Sequence, residues 1–267
     1  MFAPIKGKSM QKAIKDLQQY WDEYPCGIQV SEKEFGTKEF FDEIKTKFDN
    51  TYAAYAHSEK LLRFPAWKDK SVLEIGCGIG IDALEFARHG ARVTAVDLSP
   101  KNIDLAKKYF SHNNLSGTFL VGNAEELCFP DNSFDLVVAI GVFIYTPDIR
   151  KALDEVLRVV KPGGEVICMF WNRISWYTML VRLSGTHFDH QEKDAPGIKL
   201  YSVKELKKLF EKFSRVETET DRFPTKTIKR SGVLAKLYNY GLVPLFQMIP
   251  KTIMKPFGFH IIVKAIR

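Results

Sequence analysis

The chain has 267 residues, 45% hydrophobic and 27% charged, which excludes a disordered or low-complexity chain and suffices for one sizeable core. Its net charge of +7 is spread along the sequence, so a nucleic-acid partner is disfavoured and anionic substrates or lipid surfaces fit better. Cys26, Cys77, Cys128 and Cys168 lack zinc or redox spacing, the N-terminus has no apolar signal core, and no stretch reaches membrane-span length, so a cytoplasmic enzyme is expected.

Residues 1–56 read as helical and charged, with Phe40, Phe41, Ile44, Phe48, Tyr52 and Tyr55 at roughly helical spacing. They are expected to form a cap on a catalytic domain spanning 57–267, its aromatic residues Tyr20, Trp21, Tyr24, Tyr52 and Tyr55 being candidates to cover a bound ligand. Strands are predicted at Ser71–Ile75, Arg92–Asp97, Thr118–Val121, Phe134–Ala139 and Glu165–Phe170. The helices between them are predicted to begin near Ile79, Pro100 and Pro147, the last two with proline in the first turn. "KPGG" at 161–164 should end a helix and turn the chain into the next strand. Such alternation argues for a mostly parallel sheet covered on both faces.

Beyond Phe170 the regularity lapses. Residues 171–200 are aromatic and irregular and are expected to form a lid on the substrate side. Ser202 with Glu205 three positions on is a capping box opening a helix to Phe213. "RVETET" reads as a strand, and "GFHIIVKAIR" as the terminal one. Between them, residues 231–259 are apolar and aromatic, dotted with Lys236, Lys251 and Lys255 and broken by three prolines. That segment has three readings: ordinary core and lid packing, the wall of a pocket for an apolar substrate, or contact with a bilayer surface.

The most informative stretch is "VLEIGCGIGIDALEFARHGARVTAVDLS", from Val72 to Ser99. A glycine-rich turn from strand to helix lets a ligand touch main chain that side chains would otherwise shield. The spacing here is G-x-G-x-G through Gly76, Gly78 and Gly80, and Ile81 stands where a dinucleotide fingerprint needs its third glycine. Glu74 would place negative charge near a pyrophosphate, so the loop favours a ligand with a cationic group and no phosphate. Asp97, about 20 residues on at the end of the next strand, suits a ribose diol. S-adenosylmethionine has all of these features.

The stretch resembles the first motif of the class I S-adenosylmethionine-dependent methyltransferases, [D/E]-x-G-x-G-x-G, here "EIGCGIG". The resemblance continues through "VDLS", "VGNAEELCFPDNSFDLVVAIGVFIY" and "VLRVVKPGGEVIC", covering about Lys70 to Phe170. It implies an α/β, Rossmann-like fold with a seven-stranded mostly parallel sheet and helices on both faces. It further implies that Gly76, Cys77, Gly78 and Gly80 line the methionine portion and that Asp97 holds the ribose. Leu98 would pack on the adenine and the Ala124 backbone would read its edge. Asn123 stands where the family commonly has an aspartate accepting from the adenine amino group, a role its carbonyl oxygen can keep. Ile140 and Gly141 would run beside the methionine tail.

The acceptor is bounded mainly by exclusion. The family's enzymes for exocyclic amines of nucleobases resemble one another in carrying [N/D/S]-P-P-[Y/F] after the fourth strand, where this chain has "AIGVF". The Pro-Cys pair of pyrimidine enzymes has a counterpart only at Pro25-Cys26, far upstream of the sheet. A small, apolar or aromatic metabolite is therefore the expected acceptor, quinone- and lipid-like ones included, with no obligate protein partner. A peptide methyltransferase and a non-catalytic S-adenosylmethionine-binding module are the alternatives. His187 and His190, from the segment after the fifth strand, are candidate general bases, and Tyr145 is a candidate for touching the acceptor. No metal is expected, because His187, Asp189, His190, Glu192 and Asp194 match no standard ligand spacing.

Overall fold

A computed structural model describes residues 8–25, 31–52, 57–185, 187–188, 195–224 and 236–267. The strands β1 (Ser71–Ile75), β2 (Arg92–Asp97), β3 (Thr118–Val121), β4 (Phe134–Ile140), β5 (Val160–Trp171), β6 (Arg215–Asp221) and β7 (His260–Ile266) form one sheet. Their order is β3-β2-β1-β4-β5-β7-β6. The first five are parallel, and β7 runs antiparallel between β5 and β6.

The central strands are apolar runs because both their faces are covered. Side-chain alternation divides them between two cores. Leu73, Ile75, Val137 and Ala139 point into one, Val72, Leu136 and Val138 into the other. Helices α1 (Lys8–Glu23), α6 (Ile149–Val159) and α8 (Val203–Leu209) contribute Leu17, Tyr20, Val156 and Leu206 to the first core. The second takes Phe40 and Phe41 from α2 (Lys38–Tyr52), Leu62 from α3 (His57–Leu62), Phe86 from α4 (Ile81–Arg88) and Phe110 from α5 (Pro100–His112).

Several expected boundaries move, each for a local reason. Helix α4 starts at Ile81, not near Ile79, because Gly80 holds a left-handed conformation (φ 82°) that cannot lie inside a right-handed helix. Pro100 does occupy the first turn of α5. Pro147 does not do so in α6: Asp148 is the N-cap, its carboxylate accepting from the Arg150 and Lys151 N–H groups, and the proline precedes it. Strand β5 begins at Val160, which pairs with Phe134, and its next pairing is Leu136 with Glu165. Lys161–Gly164 therefore bulge out of the ladder within the strand, with Gly163 at φ 75°.

The stretch 171–200, expected to be irregular, contains helix α7 (Trp176–Ser184). Ser175 caps it by accepting from the Thr178 N–H, and Gly185 ends it at φ 65°. The capping box at Ser202 and Glu205 is present with both of its bonds. Tyr55, Cys26, His190 and the remaining acids of that loop (Asp189, Glu192 and Asp194) lie outside the described residues.

Candidate functional site

The site forms where β1 gives way to α4. The Gly76 and Cys77 N–H groups both donate to the Val96 carbonyl at 2.6 and 3.1 Å, folding the turn onto β2. Gly76 sits at φ 67°, and a Cβ there would lie 2.3 Å from Val142 Cγ2. Only glycine fits: the backbone is left-handed, and the loop after β4 packs directly on its Cα.

Asp97 joins three segments. Its Oδ2 accepts from the Gly78 N–H at 2.8 Å, and its Oδ1 accepts from the Ser99 N–H at 2.9 Å and Asn102 Nδ2 at 3.1 Å. Helix α1 is tied to the same turn. Gln18 Nε2 donates to the Leu98 carbonyl at 3.0 Å, and the Ser99 hydroxyl donates to Asp22 Oδ1 at 2.5 Å.

The electrostatics are lopsided. Glu74 is 5% exposed and its Oε2 has no hydrogen-bond partner among the described residues. Burial pushes its carboxyl well above the usual range, and Asp82 and Asp97 add repulsion. Burial also raises Asp97, against the three bonds that favour its ionised form. Asp82 is pushed up to about 6 by burial and by Glu85, with Lys45 opposing. Three carboxyl groups whose ionised forms are costly thus converge on a turn with bare main chain, a setting that a bound cation would relieve and a diphosphate would worsen. The same burial holds the Cys77 thiol up, so it is a poor nucleophile.

Past β3, Asn123 Oδ1 accepts from the Glu125 N–H at 3.0 Å, closing a tight turn, and Ala124 is buried in the core that also receives Leu98. One lone pair of that Asn123 oxygen remains for a ligand. Ile140 is half-buried at the end of β4, and the Gly141 N–H donates to the Met169 carbonyl at 3.3 Å. The structure therefore gathers Glu74, the glycine turn, Asp97, Leu98, Ile140 and Gly141 at the carboxyl ends of neighbouring parallel strands β2, β1 and β4. Ligands of open α/β sheets bind at such ends.

The candidate acceptor residues divide. Tyr145 is buried, edge-on to Trp21 of α1 at 5.2 Å and to Trp171 at the end of β5 at 5.9 Å. His187 is exposed, next to Phe188, which stacks on Trp171 at 5.6 Å. Gln18, Asp22, Asn102 and Val142 belong to the site and carry no motif. The signal for the first two is their place four residues apart on one face of an amphipathic helix, beside Trp21.

S-adenosylmethionine fits these residues on one count in particular. It brings an ammonium and a sulfonium, and Glu74 offers a buried carboxylate oxygen with its hydrogen-bonding capacity unspent.

Residues 73–168 match the family described as a methyltransferase domain. The sterol 24-C-methyltransferase erg-4 of Neurospora crassa is 37% identical over 121 residues, 43% of this chain and 32% of that protein. The ubiquinone/menaquinone biosynthesis C-methyltransferase UbiE of Zymomonas mobilis is 35% identical over 120 residues, 43% of this chain and 49% of that protein. The chain spans about a third to a half of the length of the curated relatives it matches. Among solved structures, geranyl diphosphate C-methyltransferase from Streptomyces coelicolor A3(2) shares the fold over 99% of this chain and 100% of its own, with TM-score 0.61 and 15% identity. Strand order, glycine turn and family match agree: the chain has a Rossmann-like fold, and its residues 73–168 are similar to the methyltransferase domain.

Proposed function

We propose that the chain is an S-adenosylmethionine-dependent methyltransferase that methylates a small, apolar or aromatic metabolite by direct in-line transfer. The observation that carries the cofactor is the unpartnered buried oxygen of Glu74 beside the bare turn at Gly76. When bound, S-adenosylmethionine supplies a methyl group already activated by its sulfonium. In this reading Glu74 stabilises the cofactor's positive charge, Gly76, Cys77, Gly78 and Gly80 give it main-chain contact, and Ile140 and Gly141 flank its amino-acid end. The lone pairs of Asp97 not used by Gly78, Ser99 and Asn102 accept the ribose hydroxyls. Leu98, Asn123 and Ala124 bound the adenine.

The chain's remaining task is alignment and exclusion of water. The rings of Trp21, Tyr145, Trp171 and Phe188 support an apolar acceptor, because they pack against one another beyond the ends of β4 and β5. Relatives named for sterols and for ubiquinone and menaquinone biosynthesis support the same class. If the acceptor holds a proton at neutral pH, His187 and His190 are the groups proposed to receive it, and Tyr145 is proposed to touch the acceptor.

Titration calorimetry with S-adenosylhomocysteine, with NAD as control, tests the cofactor: binding of the first and not the second is expected. Labelled-methyl transfer to sterol-like and quinone-like compounds tests the acceptor. NAD binding without S-adenosylhomocysteine binding would overturn the cofactor reading. Label appearing on peptides and on no apolar metabolite would overturn the acceptor.

A further inference from the structure

An amphipathic surface helix normally turns its apolar stripe inward. Two neighbouring segments of this chain also turn apolar side chains outward. On α7, Thr178 and Val181 are buried, while Met179 and Leu183, four residues apart, are 55% and 84% exposed. Along the helical stretch Leu237–Met248, Val243 is buried, while Leu237, Tyr240, Leu245 and Met248 are 62%, 74%, 60% and 81% exposed. Spacings of three, five and three residues place these four on one side of the helical stretch.

The two stripes belong to one surface. Trp176 of α7 lies 6.3 Å from Tyr238, ring to ring, and donates its indole N–H to the Arg222 carbonyl at 2.7 Å. Asn172, just before α7, donates to the Pro256 and Gly258 carbonyls, both at 2.8 Å. Large apolar side chains scattered singly on a surface need no explanation, but a set gathered on two adjoining helices does.

Charge selects the occupant. Residues 222–267 contain nine Lys and Arg and no Asp or Glu. Exposed Arg182, Lys236 and Lys255 stand beside the apolar stripes. A second copy of this chain would bring the same cations against these, a repulsive pairing. An anionic bilayer offers apolar depth beneath a negative surface, matching both features at once. No described helix is long and apolar enough to cross a membrane, so the contact is one of lying on the surface.

We propose that α7 and the Leu237–Phe257 segment together form a docking surface for an anionic lipid bilayer. It adjoins the ring cluster of Trp171, Tyr177 and Phe259 at the end of β5, so an apolar acceptor dissolved in the bilayer would meet the protein beside the site. The docking itself is independent of the methyl-transfer reading, since its test reads sedimentation and not turnover.

The full chain is mixed with vesicles of phosphatidylcholine plus phosphatidylglycerol, and with vesicles of phosphatidylcholine alone, at low and high salt. Expected are co-sedimentation with the anionic vesicles, weakening with salt, and a loss of about tenfold or more in the double variant L183E/M248E. Unchanged circular dichroism and thermal transition in that variant, together with unchanged S-adenosylhomocysteine affinity where the parent binds it, separate lost docking from lost folding. A second variant, K236E/K255E, should lower binding to anionic vesicles while leaving the weaker binding to neutral ones. No sedimentation of the parent chain at low salt overturns the proposal, as does sedimentation indifferent to both variants. Self-association in ultracentrifugation that L183E/M248E abolishes, without vesicle binding, would assign the surface to a second copy and overturn it equally.

Discussion

At the scale of single residues, the site concentrates cost and use in the same groups. Glu74 is held above the ordinary carboxylate range by burial, so the folded chain binds its proton more tightly than the unfolded chain does. The linked stability is present in full below the unfolded pKa and is lost as pH rises through the folded one. Asp82, pushed up to about 6, has the same sign. Burial holds His260 well below its ordinary range, which gives the opposite slope, so the Glu74 part is read as a difference: Glu74→Gln should gain stability relative to the ligand-free parent as pH rises above the ordinary carboxylate range, read by thermal scans of both across pH. The same variant should weaken S-adenosylhomocysteine binding about tenfold or more, since a charge-assisted contact is removed. A stability difference between Glu74→Gln and the parent that does not grow with pH would contradict the assignment. Gly76→Ala should cost about 2–4 kcal/mol, from a left-handed φ and the clash with Val142. Adding Val142→Ala should recover only the clash, leaving about 1 kcal/mol of backbone strain in denaturant melts.

At the scale of elements, α1 acts as a strap on the turn that Asp97 organises. It reaches across with Gln18 on the Leu98 carbonyl and Asp22 on the Ser99 hydroxyl, and inserts Trp21 against Tyr145. These bonds join positions 80 and 77 residues apart; the spacing of Gln18 and Asp22 puts them on one helix face, but nothing in the local sequence names their partners. The double variant Q18A/D22A should cost about 1–3 kcal/mol from two lost hydrogen bonds, and hydrogen exchange should show α1 amides opening faster. S-adenosylhomocysteine should slow that exchange in the parent chain; exchange in α1 indifferent to ligand would place the strap outside the site. What was legible elsewhere follows the same division between local and distant causes. Strands β1, β2 and β3 were readable to the residue because each is an apolar run closed by turn residues; Glu74, Gly76 and Asp97 stood out because a glycine turn between two acids restricts residue type, and the structure brings the three together. Helix α7 was hidden because it opens on Trp176, Tyr177 and Thr178, aromatic and β-branched residues that favour helix weakly, in a stretch that reads as irregular. Pro147 misled because proline and an Asp cap both mark a helix start, and Asp148 took the position.

At the scale of the whole molecule, the sheet separates binding from closure. The ligand turn hangs on β1, β2 and β4, all parallel, while β7 enters last in the chain and lies between β5 and β6, paired to both along its length. Seven residues of β7 pair with Glu165–Trp171 on one side and with Arg215–Asp221 on the other, and Ile261, Val263 and Ala265 fill the core on the α6 side. Fully burying each of Ile261, Ile262 and Val263 is worth about 1.5–3 kcal/mol, so these three alone approach the 5–15 kcal/mol by which a domain is stable. A chain ending at Gly258 would also leave two strand edges unpaired, an invitation to aggregate. It should be insoluble or lack a cooperative transition, whereas Ile261→Ala should fold with a loss of about 2–5 kcal/mol. Because β7 is separated from β1 by β5 and β4, Ile261→Ala should leave S-adenosylhomocysteine affinity unchanged well below the melting temperature. Calorimetry at a temperature where both proteins are folded distinguishes the outcomes. Unchanged stability with lost binding would mean that the C-terminal strand shapes the ligand turn, and the division between a binding half and a closing half of the sheet would fall.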